Sequence, residues 1–369
     1  MEFAVRQQSP VARRFRAAEG TYTFNQGRIE FTAAGIELVD ATREQLELFR
    51  TRLKGDQEAR VDQILAARPT GADALMRPGS YVALAQSGEL DRRIQVLQAI
   101  RERDAAGVFN PKRVGPFRIG GHLLNVGEEP AISGLHGTGT VYFGGCHLRC
   151  KGCQYYTLAY NPKSGVAETP ERLAALFLKY QQRGAHSLQL MTPSHCVVEI
   201  AQALQLAAAK GLYIPMVYNS GGHEDPAALA AMEGLVDIYL PDLKAGSAEA
   251  GSKFTSTADY QARSQAAIRE MYRQVGPLQV DERGIAQRGV LVRHLLLPGG
   301  GAEAEQVARF LASVADGLPV HLMGQWTPND LTAGTELHRR VTPGEYAAAA
   351  RAFEGAGLTL IEDERRLKE

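Results

Sequence analysis

The chain has 369 residues, 44% of them hydrophobic, which is enough for a sizeable core in one large domain or two. Its 41 Lys and Arg residues are matched by 41 Asp and Glu, so no overall charge draws it to nucleic acid or to an anionic membrane, and neither partner is expected. No apolar run approaches the ~18 residues that span a bilayer, and the first residues lack a signal peptide's apolar core; with only four cysteines, three of them clustered, a cytoplasmic protein with reduced thiols is expected rather than a disulfide scaffold.

In chain order, residues 22–24 and 28–31 read as a small hairpin, and 43–53, 56–67 and 88–103 as helices. The last carries a stripe of Leu90, Ile94, Leu97 and Ile100. Residues 1–117 are therefore expected to form a mostly helical cap region, and 118–369 a barrel domain. The next strong signal is Gly139-Thr-Gly-Thr-Val-Tyr-Phe-Gly-Gly145, a β-branched and aromatic strand ending in two glycines. It delivers Cys146-His-Leu-Arg-Cys-Lys-Gly-Cys153 into the loop at its C-terminal end. Three thiolates so spaced can wrap one small inorganic core and leave one coordination position to another ligand. The rival is a zinc site completed by His147 or His195, although structural zinc normally takes paired C-x2-C units.

Thr169 then caps a helix with Pro170 in its first turn and Leu173, Leu176, Phe177 and Tyr180 on its buried face. Strands at 187–191, 213–218, 236–240, 289–296 and 319–323 alternate with helices at 197–210, 226–233, 258–274, 302–315 and 343–355. With the strand before the cysteines this makes six β-α units, a parallel sheet with helices outside it. The expected fold is α/β, a partial (β/α)6 barrel with an open side and a mostly helical N-terminal extension, because six units do not close an eight-stranded barrel. Polar and turn residues follow each strand, as in Thr192-Pro-Ser-His195, Asn219-Ser-Gly-Gly222, Asp242-Leu-Lys244 and Gly324-Gln-Trp326. In a parallel sheet they share the rim that carries the cysteines.

The C-x3-C-x2-C motif after an apolar strand resembles the signature of the radical S-adenosylmethionine (SAM) superfamily. The segments Gly127-Glu-Glu-Pro130, Leu190-Met-Thr-Pro-Ser-His195, Val217-Tyr-Asn-Ser-Gly-Gly222, Val236-Asp-Ile-Tyr-Leu-Pro-Asp-Leu-Lys244, Val292-Arg-His-Leu-Leu-Leu-Pro-Gly299 and His321-Leu-Met-Gly-Gln-Trp-Thr-Pro328 narrow the likeness. It is to the branch homologous to the pyruvate formate-lyase activating enzyme, many members of which have no assigned substrate, and it spans roughly 118–356. The resemblance implies that Cys146, Cys150 and Cys153 hold three irons of a 4Fe–4S cluster while SAM chelates the fourth. It implies an enzyme that cleaves SAM reductively to a 5′-deoxyadenosyl radical, which takes hydrogen from a small molecule or peptide. The alternative within the family is a glycyl-radical activase with a protein substrate. A flavodoxin or ferredoxin is the implied electron donor, and relatives' extra cysteines have no counterpart in 101–114.

The same resemblance suggests the SAM contacts. Gly152 stands where the superfamily has an aromatic, so Tyr155 or Tyr156 would have to stack on adenine. Thr192 and Ser194 would accept from the SAM ammonium, or Ser194 simply caps a helix. Asn219 and Ser220 would meet ribose or carboxylate, or serve turn chemistry. Asp242 and Lys244 would hold the ammonium and carboxylate, or pair with each other. Arg293, charged within an apolar strand, would face the carboxylate or a structural partner. Gln325 and Trp326 could line the pocket, His136 and His223 could be substrate groups, and Cys196 is either a thiol at the rim or a small buried residue. No catalytic residue is identified.

Overall fold

The computed structural model describes residues 20–24, 27–32, 35–39, 79–104 and 107–361 and shows a mixed α/β protein. Strands β1 (Gly20–Phe24), β2 (Gly27–Thr32) and β3 (Gly35–Val39) make an antiparallel sheet. The expected hairpin is its first half, with Tyr22 opposite Ile29. The third strand is new, although Ile36, Glu37 and Leu38 show a short period-two alternation. The helices expected at 43–53 and 56–67 lie outside the described residues.

An eight-stranded sheet holds β4 (Arg118–Asn125), β5 (Thr138–Phe143), β6 (Val166–Ala167), β7 (Ser187–Met191), β8 (Met216–Ser220), β9 (Ile238–Pro241), β10 (Gln279–Val280) and β11 (Ala286–Val290). Their order is β10-β11-β9-β8-β7-β5-β4-β6. The run β5-β7-β8-β9-β11 is parallel, and β5, β7, β8 and β9 are almost wholly buried because helices cover them, whereas Gln287 and Arg288 leave β11, at the edge of that run, part-exposed. Antiparallel β4, absent from the expected elements, extends the sheet beside β5. A second, parallel sheet contains β12 (Val292–Leu295), β13 (Pro319–Met323) and β14 (Thr359–Leu360).

The single strand expected at 289–296 is thus two. It breaks at Leu291, where β11 leaves β9 and β12 takes up β13 as its neighbour. The two sheets stay in touch there, because Leu243 N–H donates to the Arg293 carbonyl at 2.8 Å and Asp242 bridges Arg293. No closed barrel forms among the described residues.

Twelve helices are described. They are α1 (Tyr81–Ser87), α2 (Glu89–Arg103), α3 (Pro111–Val114), α4 (Pro130–Ser133), α5 (Tyr156–Ala159), α6 (Pro170–Gln182), α7 (Val197–Ala208), α8 (Pro226–Ala231), α9 (Ala248–Phe254), α10 (Tyr260–Val275), α11 (Gly301–Ala312) and α12 (Pro343–Gly355). Thr169 caps α6 through Arg172 N–H, and the expected four side chains are its buried face. The stripe on α2 buries Leu90, Ile94 and Leu97 against α7 and α8. The start of α1 is held at the base of the sheet: Tyr81 donates to the Ile214 carbonyl at 2.8 Å, and Ser80 N–H to Asp237 Oδ1 at 2.7 Å. Residues 214 and 237 precede β8 and β9, so this part of the expected cap lies at the end of the sheet opposite the cysteines.

Candidate functional site

The loops after β5, β7, β8, β9, β12 and β13 surround a cavity of about 490 Å³. Cys146, Cys150 and Cys153 line it, with Gly152, Tyr155, Thr192, Asn219, Ser220, Asp242, Lys244 and Arg293. Of the residues proposed for SAM, Ser194 is missing from the wall, as is Tyr156, the alternative to Tyr155. The Ser194 hydroxyl donates to Glu224 Oε1 at 2.9 Å, and Tyr218 donates to Glu224 Oε2, so this serine belongs to a buried polar knot behind β8. Gln325 and Trp326 line the cavity as well.

The cysteine loop is wound by left-handed backbone. Arg149 has φ +45° and Gly152 φ +76°. A Cβ on Gly152 would stand 2.2 Å from Trp326 Cη2, so the tryptophan occupies the place where a side chain at 152 would go. The aromatic surface missing at 152 is thereby supplied from the loop after β13. That loop also grips the cysteines: Asn329 Nδ2 donates to the Cys153 carbonyl at 3.1 Å, and Gln154 Nε2 to that of Thr327 at 2.8 Å. Tyr160 donates to the carbonyls of Arg149 and Cys150 from the other side.

Burial pushes all three thiols up, Cys150 to about 12, while the Lys244 ammonium acts in the opposite direction on each. Without a further cation the thiols stay protonated. Among the described residues no three His, Cys, Asp or Glu side chains gather as a group that could hold a metal ion. The cysteines share one wall without converging on a point.

Opposite the thiols lies a charged knot. Asp242 Oδ2 accepts from Lys244 Nζ at 2.5 Å, and Asp242 Oδ1 from Arg293 Nε at 3.1 Å. Arg293 also donates to Asn219 Oδ1 at 3.0 Å and to Glu128 Oε2 at 3.4 Å, with Glu129 Oε1 3.8 Å away. Burial raises the Asp242 carboxyl, but Lys244 and Arg293 outweigh that and hold it below its ordinary value. The internal pairing weighed for Asp242, Lys244 and Arg293 is therefore present. Asn219 Nδ2 has no hydrogen-bond acceptor although the residue is 2% exposed, which leaves a donor on the cavity wall for a ligand oxygen.

Thr192 has φ +59°, a costly conformation for a β-branched residue, and its N–H donates to the Asn219 carbonyl. Such strain, about 1–3 kcal/mol, gathers where a site dictates backbone direction. Sequence reasoning gave no role to Tyr142, whose ring lies 5.7 Å from that of half-exposed Tyr155 at the cavity wall. Glu128 and Glu129, which reach Arg293 from the segment before β5, likewise had no role legible in the sequence. The available signal was an acidic pair alone in a long acid-free stretch.

The histidines go elsewhere. His147 Nε2 lies 3.1 Å from His223 Nδ1, and His223 Nε2 3.0 Å from Asp259 Oδ1. His195 Nε2 meets the Gly144 carbonyl at 3.0 Å. None of the three lines the cavity, and His136 sits before β5, beside His186. Tyr156 is off the wall too, and Cys196 is a buried core residue at the start of α7.

No known family model matches the chain. Over 251 residues it is 24% identical to an uncharacterized protein of Methanocaldococcus jannaschii, a match covering 65% of this chain and 68% of that one.

Proposed function

We propose that this protein is a radical SAM enzyme, built as a partial (β/α)6 barrel in which β5, β7, β8, β9, β11–β12 and β13 are the six strands. The single observation carrying the reading is that all three motif cysteines and eight of the nine residues suggested for SAM line one cavity at the C-terminal strand ends. Three soft sulfurs on one cavity wall are a donor set that suits an iron–sulfur cluster. His147 and His195, which zinc would need, are engaged outside the cavity.

Cys146, Cys150 and Cys153 would hold the cluster as thiolates, with Lys244 offsetting their charge. When bound, the cluster supplies the electron that splits SAM into methionine and a 5′-deoxyadenosyl radical. The chain's own residues bind, orient and exclude water. Asn219 Nδ2 offers a donor to a SAM hydroxyl or carboxylate, and the Met191–Thr192 carbonyls, turned by the strained Thr192, offer acceptors to its ammonium. Tyr155, Trp326 and Phe254 shield the cavity with apolar surface.

We place the protein in the cytoplasm, with a flavodoxin or ferredoxin as donor. A small molecule or peptide remains the first choice of substrate. The glycyl-radical activase version gains from the position of α1 and α2, which leave the rim clear of them. Anaerobic reconstitution tests the class: about four irons per chain and dithionite-driven release of 5′-deoxyadenosine are expected. Both should vanish in Cys150→Ala and persist in Cys196→Ala. An iron-free preparation, or release that survives loss of Cys150, overturns the reading. A glycine-centred radical on a co-purified protein selects the activase version.

A further inference from the structure

Between residues 105 and 167 the only acidic residues are Glu128 and Glu129. Both are turned inward, their side chains 12% and 1% exposed beside Arg293. The same stretch carries Lys112, Arg113, Arg118, Arg149, Lys151 and Lys163, in a chain whose charges otherwise balance. Folding draws these residues onto one face. Arg149 Nη2 donates to the Lys112 carbonyl at 3.2 Å, Arg113 Nη1 to the His147 carbonyl at 2.7 Å, and Arg118 Nη2 to that of Gly165 at 2.8 Å. Gly115 approaches so near that a Cβ there would stand 2.2 Å from the Pro162 carbonyl, which brings the segment of Lys112 against that of Lys163.

None of the six has a carboxylate partner among the described residues; Glu168, next to the Ala167 that pairs with Arg118, faces Arg172 at 3.9 Å, and Glu336 is paired with Lys253. Lys112, Lys151 and Lys163 are exposed. The face is also the back of the cysteine loop. Cys146, Leu148, Cys150, Gly152 and Cys153 line the cavity, while the intervening His147, Arg149 and Lys151 do not. One side of the loop therefore serves the cavity and the other presents positive charge to the outside.

We propose that this basic face is the docking surface for an acidic one-electron carrier protein, so that electrons enter behind the cysteine loop while substrate enters through the cavity mouth; the proposal rests on the radical SAM reading. A cluster held by the three cysteines would take one electron from the carrier, and no bond in the chain would form or break. Complementary charge steers such an encounter without a large interface, which suits a carrier that must leave after each turnover. A single-stranded nucleic acid fits less well, because it wants aromatic rings to stack on. Tyr160, the ring beneath Arg149, is committed to loop carbonyls, and the most exposed large apolar side chain of the stretch is Val166.

The test uses the full-length reconstituted protein and its K112E/K163E variant, both changes lying outside the cavity wall. Binding of a purified acidic flavodoxin and of a single-stranded RNA is measured at low and high salt, alongside dithionite-driven 5′-deoxyadenosine release. Flavodoxin binding should weaken about tenfold or more in the variant, and likewise in the parent at high salt, while dithionite-driven release stays unchanged. Flavodoxin that does not bind the parent, or binds both proteins equally, overturns the proposal, as does RNA binding in its place. Charge-dependent flavodoxin binding without any 5′-deoxyadenosine release would uphold the docking face and overturn the reaction assigned to the cavity.

Discussion

Gly152 shows how one atom's absence shapes the site. Its φ of +76° and the 2.2 Å approach of Trp326 Cη2 both reject a Cβ. Gly152→Ala should cost about 1–3 kcal/mol in urea unfolding, and adding Trp326→Phe, which shortens the ring, should restore part of it. Arg293 makes the opposite case, a cation whose removal strands its partners. Arg293→Met leaves Asp242, Glu128 and Glu129 buried around an uncharged side chain, at a cost of about 3–5 kcal/mol at neutral pH. Burial raises the Glu129 carboxyl, but the His321 hydrogen bond and Arg293 reverse this and take it from its ordinary 4.5 to about 2. Asp242 is held low by the cations in the same way. Folded values below unfolded ones give stability that is complete above about pH 4.5 and is lost as pH falls toward 2. Denaturation curves across that window should show the loss in the parent and a flatter profile in Arg293→Met. The candidate residues themselves were legible because each is chemically unusual for its setting: thiols in a cysteine-poor chain, an arginine in an apolar strand. Whether Arg293 faces a ligand or Glu128 was not, since residues 165 positions apart meet only through the fold.

At the scale of elements, α1 depends on one buried carboxylate. Asp237 accepts from Ser80 N–H, from the Ser80 hydroxyl and from Met216 N–H, and so ties the helix start to the base of β8 and β9. Asp237→Ala orphans two backbone donors and should cost roughly 1–3 kcal/mol. Hydrogen exchange should then rise over residues 79–103 and stay level at the cysteine loop; uniform protection would show that α1 is held by its apolar contacts alone. Strong periodicity made the helices and central strands readable, with ends misplaced by a few residues. Strand 213–218 is β8 at Met216–Ser220, for example, because a buried apolar run carries no mark of where pairing begins. The break at Leu291 had no local signal, for Val290–Leu297 is apolar apart from Arg293 and His294 and the change of partner is decided by β13. Antiparallel β4, whose exposure alternates irregularly, was invisible for the same reason.

For the whole molecule, the sheet separates two ends with different tasks. The C-terminal strand ends carry the cavity, and the N-terminal ends bind α1. SAM added to reconstituted protein should therefore protect residues 144–153, 191–194, 219–224, 242–246 and 326–332 from exchange and leave 79–103 unchanged. Protection confined to the base of the sheet would contradict the assignment of the cavity.

Residue chemistry, hydrophobic period and motif spacing are properties of neighbouring positions, so the chain by itself announced its cysteines, its β-α alternation and its rim segments. Tertiary structure alone decided which side chains face each other. It put Ser194 behind the wall, let Trp326 fill the space beside Gly152, enclosed Arg293 among carboxylates, and gathered six scattered basic residues behind the cysteine loop. Contacts of that kind join distant positions, and their energies exist only once the backbone has closed the distance between them.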